Sequence, residues 1–195
     1  SACGKSGQWQ RGLSLLSGMR EAKVEPNVIS YNAGISAYAR GGKWQHALAL
    51  LWELPEARFD RNEISFCAGI SACDRSGDSQ RALSLLCELW GEELEPNEIT
   101  FNAVISACDR GGQWQQALSM LCEAREAALE LDMASYNAVI TACDRGGHWP
   151  LALFLLRGLW GMSVEPDVIS YSAGSRACET GGQWQQALAL LGEIC

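Results

Sequence analysis

A strict period of 35 residues runs from end to end and constrains the fold more than any other feature. Trp9, Trp44, Trp114, Trp149 and Trp184 lie on one register, with Ser79 in the only gap. Tyr31, Phe66, Phe101, Tyr136 and Tyr171 lie on a second. Ala47, Ala82, Ala117, Ala152 and Ala187, each followed by Leu, lie on a third. No insertion or deletion breaks the spacing, so the 195 residues read as one array without a second domain. Four repeats are whole: 28–62, 63–97, 98–132 and 133–167. Residues 1–27 and 168–195 are partial repeats, as expected of a segment of a longer array.

Each repeat reads as two helices. Tyr31, Gly34, Ile35 and Tyr38 fall at i, i+3, i+4 and i+7, one face of a helix spanning Ser30 to Gly41. Ser30 is the expected N-cap. Gly41-Gly42 is the expected stop, because glycine accepts the left-handed conformation found at helix C-termini. Trp44, Ala47, Leu48, Leu51 and Leu54 form a second apolar stripe. The loop that follows carries Pro26, Pro96 or Pro166, replaced by Arg61 and Leu131 in the other two repeats. Pro55 is expected to shorten its helix, and Pro150 sits in a first turn, where proline is tolerated. A lone hairpin cannot bury both stripes, whereas stacked copies can, which predicts an all-α solenoid of helix-turn-helix repeats.

Composition excludes several classes. Hydrophobic residues at 48% and charged residues at 19% exclude a disordered chain. No uncharged apolar run approaches the roughly 18 residues of a membrane span, so no membrane partner is expected. The nine cysteines include no Cys-x-x-Cys pair, and neither His46 nor His148 has ligand spacing to one, so no metal or other cofactor is expected. Cys3, Cys73, Cys108, Cys143 and Cys178 keep the repeat register and read as small buried residues in a reducing compartment. There is no Ser/His/Asp set, phosphate loop or deaminase-like His-x-Glu with paired cysteines, so neither an enzyme nor a small-molecule substrate is expected.

The run Val28-Ile29-Ser30-Tyr31-Asn32-Ala33-Gly34-Ile35, then Gly41-Gly42, Ala47-Leu48 and the Pro-Asn or Pro-Asp loop, resembles the pentatricopeptide repeat family. Residues 98–108 match it as well, and the resemblance covers the whole chain. It implies a right-handed superhelical α-solenoid that reads single-stranded RNA, one base per repeat. It implies base-reading pairs at Asn32 with Asn62, Cys67 with Asn97, Asn102 with Asp132, and Asn137 with Asp167. Ser172 and Asn27 lack partners within the sequence. The Asn–Asp pairs resemble uracil readers, and the Asn–Asn pair resembles a pyrimidine reader leaning towards cytosine. Cys67 leaves its base undecided, and Ser172 leans towards a purine. The family's base-sandwiching positions fall on Ile29, Ile64, Ile99, Ala134 and Ile169, which from pattern alone could equally be core. The resemblance further implies an organellar transcript as partner, in mitochondrion or plastid, with processing enzymes recruited to it.

Helical geometry supports a separate polar face. At about 100° per residue, Ile29, Asn32, Ser36 and Arg40 fall within roughly 80° of one another, away from the Tyr31–Tyr38 stripe. Lys5, Arg40, Arg75, Arg110 and Arg145 recur at the basic end of this face, broken by Thr180, and suit a phosphate backbone. The competing reading is a solvated charge that complements the helix dipole. The formal net charge of −8 opposes RNA at long range and favours a protein-interaction scaffold. The first-helix segments 1–6, 30–41, 65–76, 100–111, 135–146 and 170–181 nevertheless sum to +2, which places the acid on second helices and loops. The Trp register reads as packing rather than base stacking, because it begins each second helix beside the apolar stripe.

Overall fold

The structure is a computed structural model and describes residues 18, 27–56, 58–159 and 166–193. The chain divides into two compact units, Ser1–Ala107 and Cys108–Cys195. The first contains α1 (Val28–Arg40), α2 (Trp44–Glu56), α3 (Glu63–Ser76) and α4 (Ser79–Gly91). Helix α5 (Glu98–Arg110) begins in the first unit and ends in the second. The second continues with α6 (Trp114–Glu126), α7 (Met133–Arg145), α8 (Trp149–Leu159), α9 (Val168–Thr180) and α10 (Trp184–Glu193). The first helices of the repeats begin at residues 28, 63, 98, 133 and 168, on the register read from the sequence.

Within the first unit α1 packs on both α2 and α3, and α3 on α2 and α4. Within the second, α9 packs on α7, α8 and α10. First helices therefore lie against first helices, with second helices behind them. The apolar stripes supply the core: Tyr31, Ile35, Leu48, Leu51, Leu54, Phe66 and Ile70 in one unit, Tyr136, Val139, Ile140, Leu153 and Leu156 in the other. Each fully buried Leu or Ile contributes on the order of 1.5–3 kcal/mol.

Two local expectations are corrected. The cap of α1 is Asn27, not Ser30; its side chain accepts from the Ser30 backbone N–H at 2.9 Å. Ser30 stands three residues into the motif and donates its own hydroxyl to Asn27 Oδ1 at 3.0 Å. The residue after the loop starts the helix because its short side chain reaches the free N–H groups of the first turn. Pro55 does not shorten α2, which spans 13 residues like α4 and α6. It falls in the last turn, where only Glu56 follows it, so its missing N–H costs little.

Most of the other local signals hold among the described residues. Gly42, Gly77, Gly112, Gly147 and Gly182 take φ between 68° and 73°, the left-handed stop at one register position. Trp44, Trp114 and Trp149 pack against the following repeat, whereas Trp184 is 65% exposed and departs from the packing reading. In the second unit Trp114 lies against His148, with ring centroids 3.9 Å apart, and a Cβ on Gly181 would stand 2.1 Å from Trp149. In the first unit Arg81 stacks over Trp44 at 4.4 Å. Cys73, Cys108, Cys143 and Cys178 are buried, and burial pushes the first three thiols up to about 12, 11 and 11. Cys3, Trp9 and Lys5 lie outside the described residues.

Candidate nucleic-acid interface

The second residue of each expected pair is the N-cap of the next first helix. Asn62 caps α3, accepting from Ser65 N at 3.0 Å. Asn97 accepts from Thr100 N at 3.0 Å, Asp132 from Ser135 N at 3.0 Å and Asp167 from Ser170 N at 2.8 Å. In each case the acceptor is Oδ1, so a cap residue also sits at the exposed edge of the polar face. In two of the pairs the first residue, one turn inside the preceding first helix, reaches the same oxygen. Asn32 Nδ2 donates to Asn62 Oδ1 at 3.2 Å, and Asn137 Nδ2 donates to Asp167 Oδ1 at 3.0 Å.

These bonds determine what each pair leaves free. Oδ1 of the cap residue is occupied by the helix N-terminus and by the asparagine amide. All of these bonds go to Oδ1, so the second polar atom of each side chain is Nδ2 in Asn62, a donor, and Oδ2 in Asp167, an acceptor. Burial pushes the Asp167 carboxyl up, but bonds from the Ser170 backbone, Asn137, the Ser170 hydroxyl and the Ile169 backbone outweigh it and hold the carboxyl below its ordinary value. Asn32 and Asn137 are buried, which restricts them to this role.

The third pair divides between units, with half-buried Asn102 in the first and exposed Asp132 in the second. Cys67 is half-buried, and its thiol meets the hydroxyls of Thr100 and Ser71; burial pushes it up. Ser172 is exposed beside a cleft of about 750 Å³ lined by Tyr171, Arg176, Trp184 and Leu188.

The aliphatic positions are not core. Ile29, Ile64, Ile99 and Ile169 are 62–76% exposed, at 35- and 70-residue intervals along the sequence. Ala134 is exposed too. In the first unit one cleft of about 380 Å³ collects three expected classes of residue: Cys67 and Asn97, Ile64 and Ile99, Arg40 and Arg75.

The arginines differ from one another. Arg40 is exposed and, among the described residues, bonds the Ser36 carbonyl of its own helix, at 3.2 Å. Arg145 Nη1 is held by the carboxylate and the backbone carbonyl of Asp109, at 3.2 and 3.1 Å. Arg110 is exposed at the end of α5.

Sequence reasoning missed the hydroxyls that complete the pairs. Ser65 Oγ lies 2.7 Å from Asn32 Oδ1, and Ser170 Oγ 2.6 Å from Asn137 Oδ1. The signal was present as a hydroxyl at every repeat, Ser30, Ser65, Thr100, Ser135 and Ser170.

Comparison with known proteins now bears on this geometry. The family model for the pentatricopeptide repeat domain matches residues 1–43 and 49–110, more than half of the chain. That for the PPR repeat matches residues 29–59 and 99–127. The comparison with curated proteins returned no match. Among solved structures the chain resembles the pentatricopeptide repeat protein PPR10 in complex with an 18-nt psaJ RNA element, at 20% identity and TM-score 0.84, over 97% of this chain and 28% of that one. PPR10 from maize matches at 26% identity and TM-score 0.76, over 97% and 27%. The PPR domain of Arabidopsis thaliana protein-only RNase P 1 in complex with tRNA matches at 13% identity and TM-score 0.73, over 94% and 93%. The chain thus spans little more than a quarter of PPR10. With its helix pairs on a 35-residue register, its all-helical solenoid fold and the matched repeats, this chain belongs to the pentatricopeptide repeat family.

Proposed function

We propose that the chain binds single-stranded RNA through its first helices, one base per repeat, and acts on an organellar transcript in its processing, stability or translation. The observation that carries this reading is the cleft of about 380 Å³ that joins Cys67 and Asn97 to two exposed isoleucines and two arginines. An apolar clamp, a polar edge and a cation in one groove match the base face, base edge and phosphate of a nucleotide. The RNA complexes of the similar structures support the same reading.

The cap geometry sharpens the expected base choice. Asp167 presents Oδ2, an acceptor, and uracil carries a donor at N3. Asn62 presents Nδ2, a donor, and cytosine carries an acceptor at N3. By sequence alone Asn62 can accept or donate; with its carbonyl oxygen committed to the helix N-terminus it donates. Repeat 28–62 therefore prefers cytosine and repeat 133–167 uracil, each by on the order of 1 kcal/mol. Asp132→Asn is expected to move the third base from uracil to cytosine and leave the fourth unchanged.

The net charge of −8 supports a second reading, a scaffold for protein partners. Filter binding with pyrimidine-rich single-stranded RNA and the matching duplex, at two salt concentrations, separates the two. Single-strand binding that weakens with salt supports RNA recognition, and no binding at either salt supports the scaffold.

A further inference from the structure

The hydroxyl three residues into each first helix has a capping role that any serine or threonine there could play. Its second contact has no counterpart in capping. Ser65 Oγ is within 2.9 Å of Asn62 Oδ1 but closer, at 2.7 Å, to Asn32 Oδ1 in the preceding repeat. Ser170 Oγ is within 2.9 Å of Asp167 Oδ1 and closer, at 2.6 Å, to Asn137 Oδ1. A hydroxyl carries one hydrogen, and the shorter contact in both places is to the asparagine amide. The second unit settles which way that amide faces. Asp167 can only accept, so Asn137 must turn Nδ2 towards it, and Oδ1 then faces the serine. Thr100 repeats the arrangement in the first unit, with its Oγ1 at 3.0 Å from Asn97 Oδ1 and a hydrogen bond to the Cys67 thiol. Ser65, Thr100 and Ser170 have no exposed surface, so none is placed to touch a ligand itself.

We propose that the third-position hydroxyl of each repeat is a positioning residue for the base read by the repeat before it: Ser65 for Asn32 and Asn62, Thr100 for Cys67 and Asn97, Ser170 for Asn137 and Asp167. The physical reason is a two-point hold. Held only through Nδ2, the Asn137 side chain pivots about its bond to Asp167. Held also through Oδ1, its amide plane is fixed, and with it the direction of the second Nδ2 hydrogen. Selectivity in one repeat then depends on a residue numbered in the next. A base-reading pair is thus a triad spread over two hairpins.

The proposal rests on the RNA reading, and the test keeps the two apart. The protein is titrated with single-stranded RNAs that vary only the base opposite repeat 133–167, and with a second set varying the neighbouring base opposite Ser172. Ser170→Ala is expected to reduce the uracil-over-cytosine ratio at the first of these bases by about threefold to fivefold, roughly one hydrogen bond. Preference at the next base should be unchanged, although that base belongs to the serine's own repeat. Ser170→Thr should restore the ratio, since Thr100 fills the same position. In the free protein, the Asn137 side-chain amide should give two sharp, dispersed proton resonances that broaden in Ser170→Ala and recover in Ser170→Thr. An unchanged ratio in Ser170→Ala overturns the positioning role, as does an equal loss at both bases, which marks a purely structural serine. Wild-type protein that binds none of these RNAs overturns the RNA reading instead, and the amide resonances then report on the two-point hold alone.

Discussion

The triads Asn32–Ser65–Asn62 in the first unit and Asn137–Ser170–Asp167 in the second are built on the same hydrogen bonds among their three side chains and differ in the second polar atom of the cap residue. Both have an asparagine amide on the Oδ1 of a cap residue, at 3.2 and 3.0 Å. Both have a buried serine on the amide oxygen, at 2.7 and 2.6 Å, and a capping box at the helix start. One presents an NH₂ group and the other a carboxylate oxygen. The comparison shows how a repeat can hold its fold constant while its ligand-facing chemistry changes. Helix capping needs one oxygen of the side chain, and Asn and Asp both supply it, so the remaining atom is free to vary at little cost in stability.

The largest effect should come from breaking what the two triads share. Leucine in place of Asn62 or Asp167 removes the cap, about 1 kcal/mol, and strands a buried amide N–H, about 1–3 kcal/mol more. Each variant should lose about 2–4 kcal/mol in chemical denaturation, and both by similar amounts. Asp167→Asn should change stability by no more than a few tenths of a kcal/mol, since both residues cap well. A large loss in Asp167→Asn would show that the carboxylate charge, not the cap oxygen, holds the second triad.

A smaller effect separates the triads by pH. The Asp167 carboxyl is held below its ordinary value in the folded chain. Its stabilising contribution is therefore complete above the unfolded value of about 3.9 and is lost as pH falls through the lower folded value. Denaturation midpoints measured between pH 6 and pH 2.5 should show this contribution fading only below about pH 4. Asp167→Asn should remove that part of the acid limb, and Asn62→Asp should add a comparable one to the first unit.

The smallest effect concerns the arginines beside the triads. Arg40 bonds the Ser36 carbonyl of its own helix, whereas Arg145 is held by the carboxylate of Asp109. Arg40→Gln should lower the slope of log affinity against log salt by up to about 0.7, and Arg145→Gln by less, because Asp109 already offsets its charge. Equal slopes would mean that the ion pair opens when RNA binds.

Much of this was legible in the sequence because a repeat writes its structure several times over. Five aromatic positions in phase locate the first helices, and the Gly pairs end them where the backbone turns left-handed. The cap of α1 lies three residues before the expected Ser30, which is itself a good cap by type, and only geometry shows that Asn27 does the capping. Pro55 misled for a related reason: a proline's cost depends on how many helical residues follow it, and only one does. The pairs could be placed through the family's pattern, but their locked orientation could not. That depends on contacts such as Asn32 with Ser65, 33 residues apart, which form only when one hairpin stacks on the next. The exposure of Ile29, Ile64, Ile99 and Ile169 was equally hidden, since an aliphatic residue on a helix reads as core until the neighbouring helix is seen to pack elsewhere.

The central claim is that the second polar atom of the cap residue, Nδ2 or Oδ2, decides the base. The direct measurement is a reciprocal exchange, Asn62→Asp together with Asp167→Asn, assayed by competition among four single-stranded RNAs carrying cytosine or uracil opposite repeats 28–62 and 133–167. The wild-type protein should favour cytosine at the first of these bases and uracil at the second, and the double variant should reverse both preferences by about fivefold each, on the order of 1 kcal/mol, with total affinity nearly unchanged. Preferences that stay where they were after the exchange would contradict the account.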